Sequence, residues 1–136
     1  MKQLKIGFDF DGVIIFWLFF LKKDAKKIIN LLAEQGHEIK VVTARGNFVT
    51  LFQAKIMLKI YGLGWVDVVG VGRNGQKYDA LEGFDFFLDN KVKHLIAIDG
   101  KVQKLCIFGK KDILGFKSLA NWWQVYWEIQ WLSGQN

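Results

Sequence analysis

Short apolar, β-branched runs alternate with helical stretches along most of this chain, and that alternation constrains the fold more than any other feature. Leu4 to Phe8 predicts a short buried strand, and Lys22 to Gln35 predicts a helix with Ala25, Ile28, Ile29 and Leu32 on one face, stopped by Gly36. Glu38 to Thr43 predicts a second strand, followed by a helix from about Asn47 to Tyr61 that carries Phe52, Ile56 and Ile60 and closes at Gly62. A third strand is expected over Trp65 to Val71, a fourth over Phe86 to Leu88 and a fifth over Lys104 to Phe108, with a helix from Lys91 to Ile98 between the last two. The expected class is α/β: a mostly parallel five-stranded sheet with helices on both faces, joined by right-handed crossovers. Ligands bind such sheets beyond the carboxyl ends of the strands.

The remaining segment, Ser118 to Leu132, predicts a helix with Ser118 as N-cap. Its Trp122, Trp123, Val125, Tyr126, Trp127, Ile129 and Trp131 leave only a narrow polar stripe, so burial against more than one surface is expected, with a subunit interface or a substrate-facing lid as alternatives. At 136 residues the chain suits a single compact domain spanning 1–136, without internal repeats or linkers. Cys106 is the lone cysteine, which rules out an internal disulfide and a cysteine-rich zinc site. The apolar run Val13 to Leu21 is too short to cross a bilayer, and Asp9 and Asp11 interrupt the pattern of a secretory signal, so no membrane association and a cytoplasmic location are expected. A net charge of +6 biases the surface toward anionic partners without naming one.

Chemistry concentrates at the ends of the predicted strands. Asp9 and Asp11 stand two residues apart where the first strand runs into Gly12, so both can point into one crevice and share a cation. Asp9 has the character of a nucleophile that attacks phosphorus, and Asp11 that of a general acid and base. The second strand ends Thr43-Ala44-Arg45, delivering a hydroxyl and a guanidinium to the same sheet edge as substrate contacts. Lys77 precedes the fourth strand and could steady the charge of Asp9 and of a phosphate. Asp89 ends that strand as a further oxygen ligand, with Asn90 beside it, whereas Asp85 falls near the opposite edge and is read as structural.

Taken in order, Asp9-Phe10-Asp11-Gly12-Val13, Thr43, Lys77 and Leu88-Asp89-Asn90 resemble motifs I to IV of the haloacid dehalogenase (HAD) superfamily. The resemblance spans roughly Lys2 to Phe108. It implies a Rossmann-like, doubly wound fold and a magnesium-dependent phosphatase working through an aspartyl-phosphate. In that scheme Asp9 is the nucleophile, Asp11 the acid/base, and Thr43 and Lys77 handle phosphate. Magnesium is held by Asp9, the Phe10 backbone carbonyl and Asp89. Asn90 departs from the family pattern, which usually has a second acidic residue there; it offers an oxygen but no charge, and the expected consequence is weaker magnesium binding, a reoriented Lys77 or reduced turnover. Neither of the usual insertion points leaves room for a cap domain, so the chain resembles the capless group, whose open site suits a phosphorylated small molecule, a polynucleotide end or a phosphoprotein. The apolar flap and the tryptophan-rich helix are the expected homo-oligomer contacts.

Two other patterns point elsewhere. Gly70 to Gly75 matches a dinucleotide fingerprint literally, yet no long helix is expected to open from it. His37 and His94 have no ligand spacing between them, so a zinc site is not expected. The rival from a different class is a catalytically degenerate module of the same fold that holds nucleic acid or a protein partner on its basic and aromatic surface.

Overall fold

The computed structural model describes residues 2–17, 19–71, 77–109 and 111–134, with Lys77 and Tyr78 described for the backbone alone. Six strands form one sheet: β1 (Lys5–Phe8), β4 (Glu38–Thr43), β5 (Asp67–Gly70), β6 (Phe86–Asp89), β7 (Lys104–Phe108) and β8 (Lys117–Leu119). Their order is β5-β4-β1-β6-β7-β8, and every neighbouring pair is parallel. Numbering these six along the chain gives 3-2-1-4-5-6, the doubly wound order in which the crossover direction reverses beside the first strand. A separate two-stranded hairpin, β2 (Ile15–Phe16) and β3 (Phe20–Leu21), follows β1.

The central strands β1, β6 and β7 are buried on both faces, as a parallel sheet requires. Ile6, Phe8, Val41, Phe86, Leu88 and Cys106 join one apolar cluster, while the alternate residues Val42, Phe87, Leu105 and Ile107 join a second. The first cluster is covered by α1 (Ala25–Glu34), α2 (Phe48–Ile60) and α5 (Trp122–Ser133), and the second by α4 (Val92–Ala97) and the turn after α3 (Lys77–Ala80). Gly7 admits the second cluster to the middle of the sheet, because a Cβ there would sit 2.9 Å from the Phe87 ring.

α1 buries Ala25, Ile28, Ile29 and Leu32, the face its sequence predicts. Three expectations are corrected. The sheet has a sixth strand, Lys117–Leu119, which pairs with β7; its Ser118 and Leu119 are read from sequence as the start of the terminal helix. Ser118 therefore caps nothing; its N–H donates to Asp112 Oδ1 at 2.6 Å and its hydroxyl bonds the Gly109 carbonyl. The helix begins after Asn121, whose side chain accepts from Gln124 N at 3.0 Å, while Gln124 Oε1 accepts from Ala120 N at 2.8 Å.

Second, α5 buries one face only. Trp122, Val125, Ile129 and Leu132 enter the core, whereas Trp127 and Trp131 stand exposed. Third, α2 turns Phe52, Ile56 and Ile60 to the outside and buries Ala54 and Leu58. It is apolar on nearly every side, so periodicity could not choose its inner face; Ala54 and Leu58 are the residues that enter the core. Among the described residues no helix is long and apolar enough to cross a membrane.

Candidate functional site

Three neighbouring strands end at one edge. Thr43 is the last residue of β4, Asp9 follows the last residue of β1, and Asp89 ends β6. The Asp9 N–H donates to the Leu88 carbonyl at 2.9 Å, which extends the β1–β6 ladder and fixes the two aspartates beside one another. All three side chains are buried. Placing two carboxylates out of water in this way requires compensating positive charge or donors.

Part of that compensation comes from α4. Asp89 Oδ2 lies 2.9 Å from His94 Nδ1, and Asp89 Oδ1 accepts from Lys91 N at 3.0 Å. Asp9, Asp89 and His94 each bring a ligand atom to within 4.8 Å of the others, so they form a cluster able to hold a divalent cation. His94 is the residue that sequence reasoning missed. It stands five positions after Asp89, one helical turn into α4, and the Asp-x4-His spacing across a strand-to-helix turn was the available signal.

Asp11 is not in that cluster. Its carboxylate is 53% exposed and is gripped from two sides by Arg45, with Nε to Oδ2 at 2.9 Å and Nη2 to Oδ1 at 2.8 Å. The guanidinium in turn donates from Nη1 to the Thr50 carbonyl in the first turn of α2 at 3.1 Å and lies 5.1 Å from the Phe10 ring centre. The planar fork of arginine suits this two-point grip, which a lysine could not reproduce. Thr43 Oγ1 accepts the Arg45 N–H at 3.2 Å, so the hydroxyl shapes the Thr43-Ala44-Arg45 turn that presents the guanidinium.

The Phe10 carbonyl, expected as a metal ligand, is occupied otherwise: it accepts the N–H groups of Ile14 and Ile15, both at 3.1 Å. The Asp11 carbonyl is the one that faces Asn90. The end of the Asn90 amide lies 3.2 Å from that carbonyl and 3.3 Å from Asp89 Oδ1. With its nitrogen there, the amide donates to both and ties the Asp11 turn to Asp89. Gly12 makes this approach possible: its φ of +84° suits glycine, and a Cβ would collide with the Asn90 amide.

Lys77 begins α3, and its side chain lies outside the described residues, as do Gly72 to Gly75 of the dinucleotide-like stretch with Arg73. Asp85 sits at the opposite edge, accepting from Lys5 N at 2.8 Å, and is structural as read from the sequence. His37 is distant from the cluster in the same sense, bonded through Nδ1 to Leu4 N at 3.0 Å. No family model matches the chain, and no curated protein matches it.

Proposed function

We propose that this protein is a HAD-like phosphomonoester hydrolase that uses a divalent cation, magnesium first among them. The observation that carries the proposal is the burial of Asp9 and Asp89 side by side at the carboxyl edge of the central strands, within reach of His94. The donor set fits a cation: two buried carboxylates and an imidazole nitrogen. The imidazole makes manganese and zinc competitors of magnesium. When bound, the cation would neutralise the facing carboxylates and the phosphate charge.

Asp9 then attacks phosphorus with a carboxylate oxygen, the P–O bond to the leaving group breaks, and an aspartyl-phosphate forms. Asp11 protonates the leaving oxygen and afterwards takes a proton from the water that hydrolyses the aspartyl-phosphate. In the structure described, Arg45 holds Asp11 away from this work. An entering phosphate competes for the same guanidinium, and its binding frees the carboxyl beside the scissile bond. Thr43 and Ala44 set the turn on which Arg45 is presented, and Lys77 contributes positive charge from the start of α3. His94 orients Asp89, a positioning role when it is not itself a ligand.

Between β1 and α1 the described residues hold only the short hairpin, which favours an open site and a substrate reached from solvent. The deciding experiment is hydrolysis of an aryl phosphate with and without magnesium, wild type against Asp9→Asn. Loss of a metal-dependent rate in the variant is expected; equal rates would refute the proposal.

One observation favours a second reading, a nucleic-acid-binding module. A groove of about 470 Å³ between β8 and α5 is lined by Lys104, Lys117, Trp127 and Trp131, and by Glu128, which pairs with both lysines. A salt-sensitive oligonucleotide shift, unchanged by Asp9→Asn, would establish that reading in place of the enzyme.

A further inference from the structure

α2 and the β2–β3 hairpin leave a broad apolar face uncovered. On α2, Phe48, Phe52, Ile56 and Ile60 point outward, with Phe48 83% and Ile60 74% exposed. The hairpin adds Trp17, 74% exposed, and Phe19, 54% exposed. The two elements are tied together, because the Tyr61 hydroxyl at the end of α2 donates to the Phe19 carbonyl at 2.7 Å. Within each, the rings are in register: Phe48 and Phe52 stack 6.1 Å apart, and Trp17 and Phe19 both stack on Phe20.

The size of this face decides what it is for. Taking about 200 Å² for a fully exposed aromatic side chain and somewhat less for isoleucine, these six side chains expose on the order of 750 Å² of apolar area. The largest patch on a typical monomer is about 300–600 Å², whereas a stable interface buries about 800 Å² on each partner. Its shape is equally specific. Phe48, Phe52, Ile56 and Ile60 are spaced four residues apart and form one continuous ridge along α2, the kind that seats in the matching groove of a second helix. A two-fold axis would set this ridge against its own copy, each row packing beside the other.

We propose that α2 and the hairpin form the contact between two copies of this chain, with α2 packed on α2 across a two-fold axis. The proposal is independent of the chemistry at Asp9. Lys55 and Lys59 lie exposed on α2 beside the ridge, and no acidic residue lies on that helix, so association brings like charges together at the rim. Apolar burial drives the dimer and charge opposes it; screening by salt therefore tightens it. Docking of the same face to an anionic bilayer would show the opposite salt dependence.

Sedimentation of the full chain across the micromolar range tests this. The expected mass is twice 15.7 kDa, with association stronger at high salt than at low. Ile56→Lys and Phe52→Lys are each expected to weaken association by roughly thirtyfold, while Trp127→Lys on α5 leaves it unchanged. These side chains are exposed, so circular dichroism should match the wild type; if one variant fails to fold, Ile60→Lys replaces it. A wild type that stays monomeric throughout overturns the proposal. So does a dimer that survives the α2 substitutions, or a monomer that sediments with vesicles containing anionic phospholipid.

Discussion

Replacing Trp122 with phenylalanine isolates the link between the terminal helix and the loop that carries Asp11. The indole is 1% exposed, packs edge-on to Phe8 with ring centres 4.9 Å apart, and donates from Nε1 to the Val13 carbonyl at 3.0 Å. Phenylalanine keeps much of the contact with Phe8 but has no N–H. Losing the donor to a buried carbonyl costs about 1–3 kcal/mol. The missing part of the indole leaves a cavity of roughly 40 Å³, worth about 1 kcal/mol more. The expected loss is therefore about 2–4 kcal/mol, which for a chain of this size lowers Tm by roughly 6–15 °C. Urea unfolding followed by far-UV circular dichroism measures it, with an unchanged m-value showing that the unfolded state is not altered. Because Val13 adjoins Gly12 and Asp11, the phosphate hydrolysis proposed above should fall more steeply with temperature in the variant than in the wild type. A stability loss under about 1 kcal/mol would show that the Val13 carbonyl finds water or another donor, and that α5 does not brace the loop.

Gly12→Ala places a side chain at φ +84° against the Asn90 amide, and a loss of about 2 kcal/mol is expected, roughly 1–2 of it from the left-handed backbone; an unfolding midpoint equal to wild type would refute it. Burial lowers the pKa of His37 below its ordinary 6.5, and its Nε2 has no hydrogen-bond partner among the described residues. Its protonation therefore favours the unfolded chain, so stability is complete above about pH 6.5 and declines as pH falls below it. Urea midpoints taken down to about pH 5 should show a shallower decline in His37→Gln, and identical slopes would count against burial as the cause. Cys106 is buried, and burial together with the Glu128 charge pushes its thiol up to about 12, so iodoacetamide at mildly alkaline pH should label the unfolded chain and spare the folded one; prompt labelling of the native protein would contradict this.

Much of the architecture was legible in the sequence because its signals are local. Strand and helix alternate with glycine stops at Gly36, Gly62 and Gly100, all of which take positive φ. The inner face of α1 followed from the spacing of Ala25, Ile28, Ile29 and Leu32, since one stripe alone was apolar. Where that contrast was missing, periodicity could not decide. α2 and α5 are apolar on most sides, and only packing against the sheet selected Ala54 and Leu58 in one and Trp122, Val125, Ile129 and Leu132 in the other. Ser118 and Leu119 read as a helix start until β7 offers backbone partners, a contact no local pattern contains.

The site divides along the same line. The sequence by itself placed Asp9, Thr43 and Asp89 at one sheet edge, because each follows or ends a strand and parallel strands finish together. Only the tertiary structure turned Asp11 outward to Arg45 across 34 positions of sequence, brought His94 back onto Asp89, and diverted the Phe10 carbonyl to the turn of its own loop. Strand ends are set by local pattern, whereas the direction of a side chain beyond them is set by which charges and donors the rest of the fold delivers.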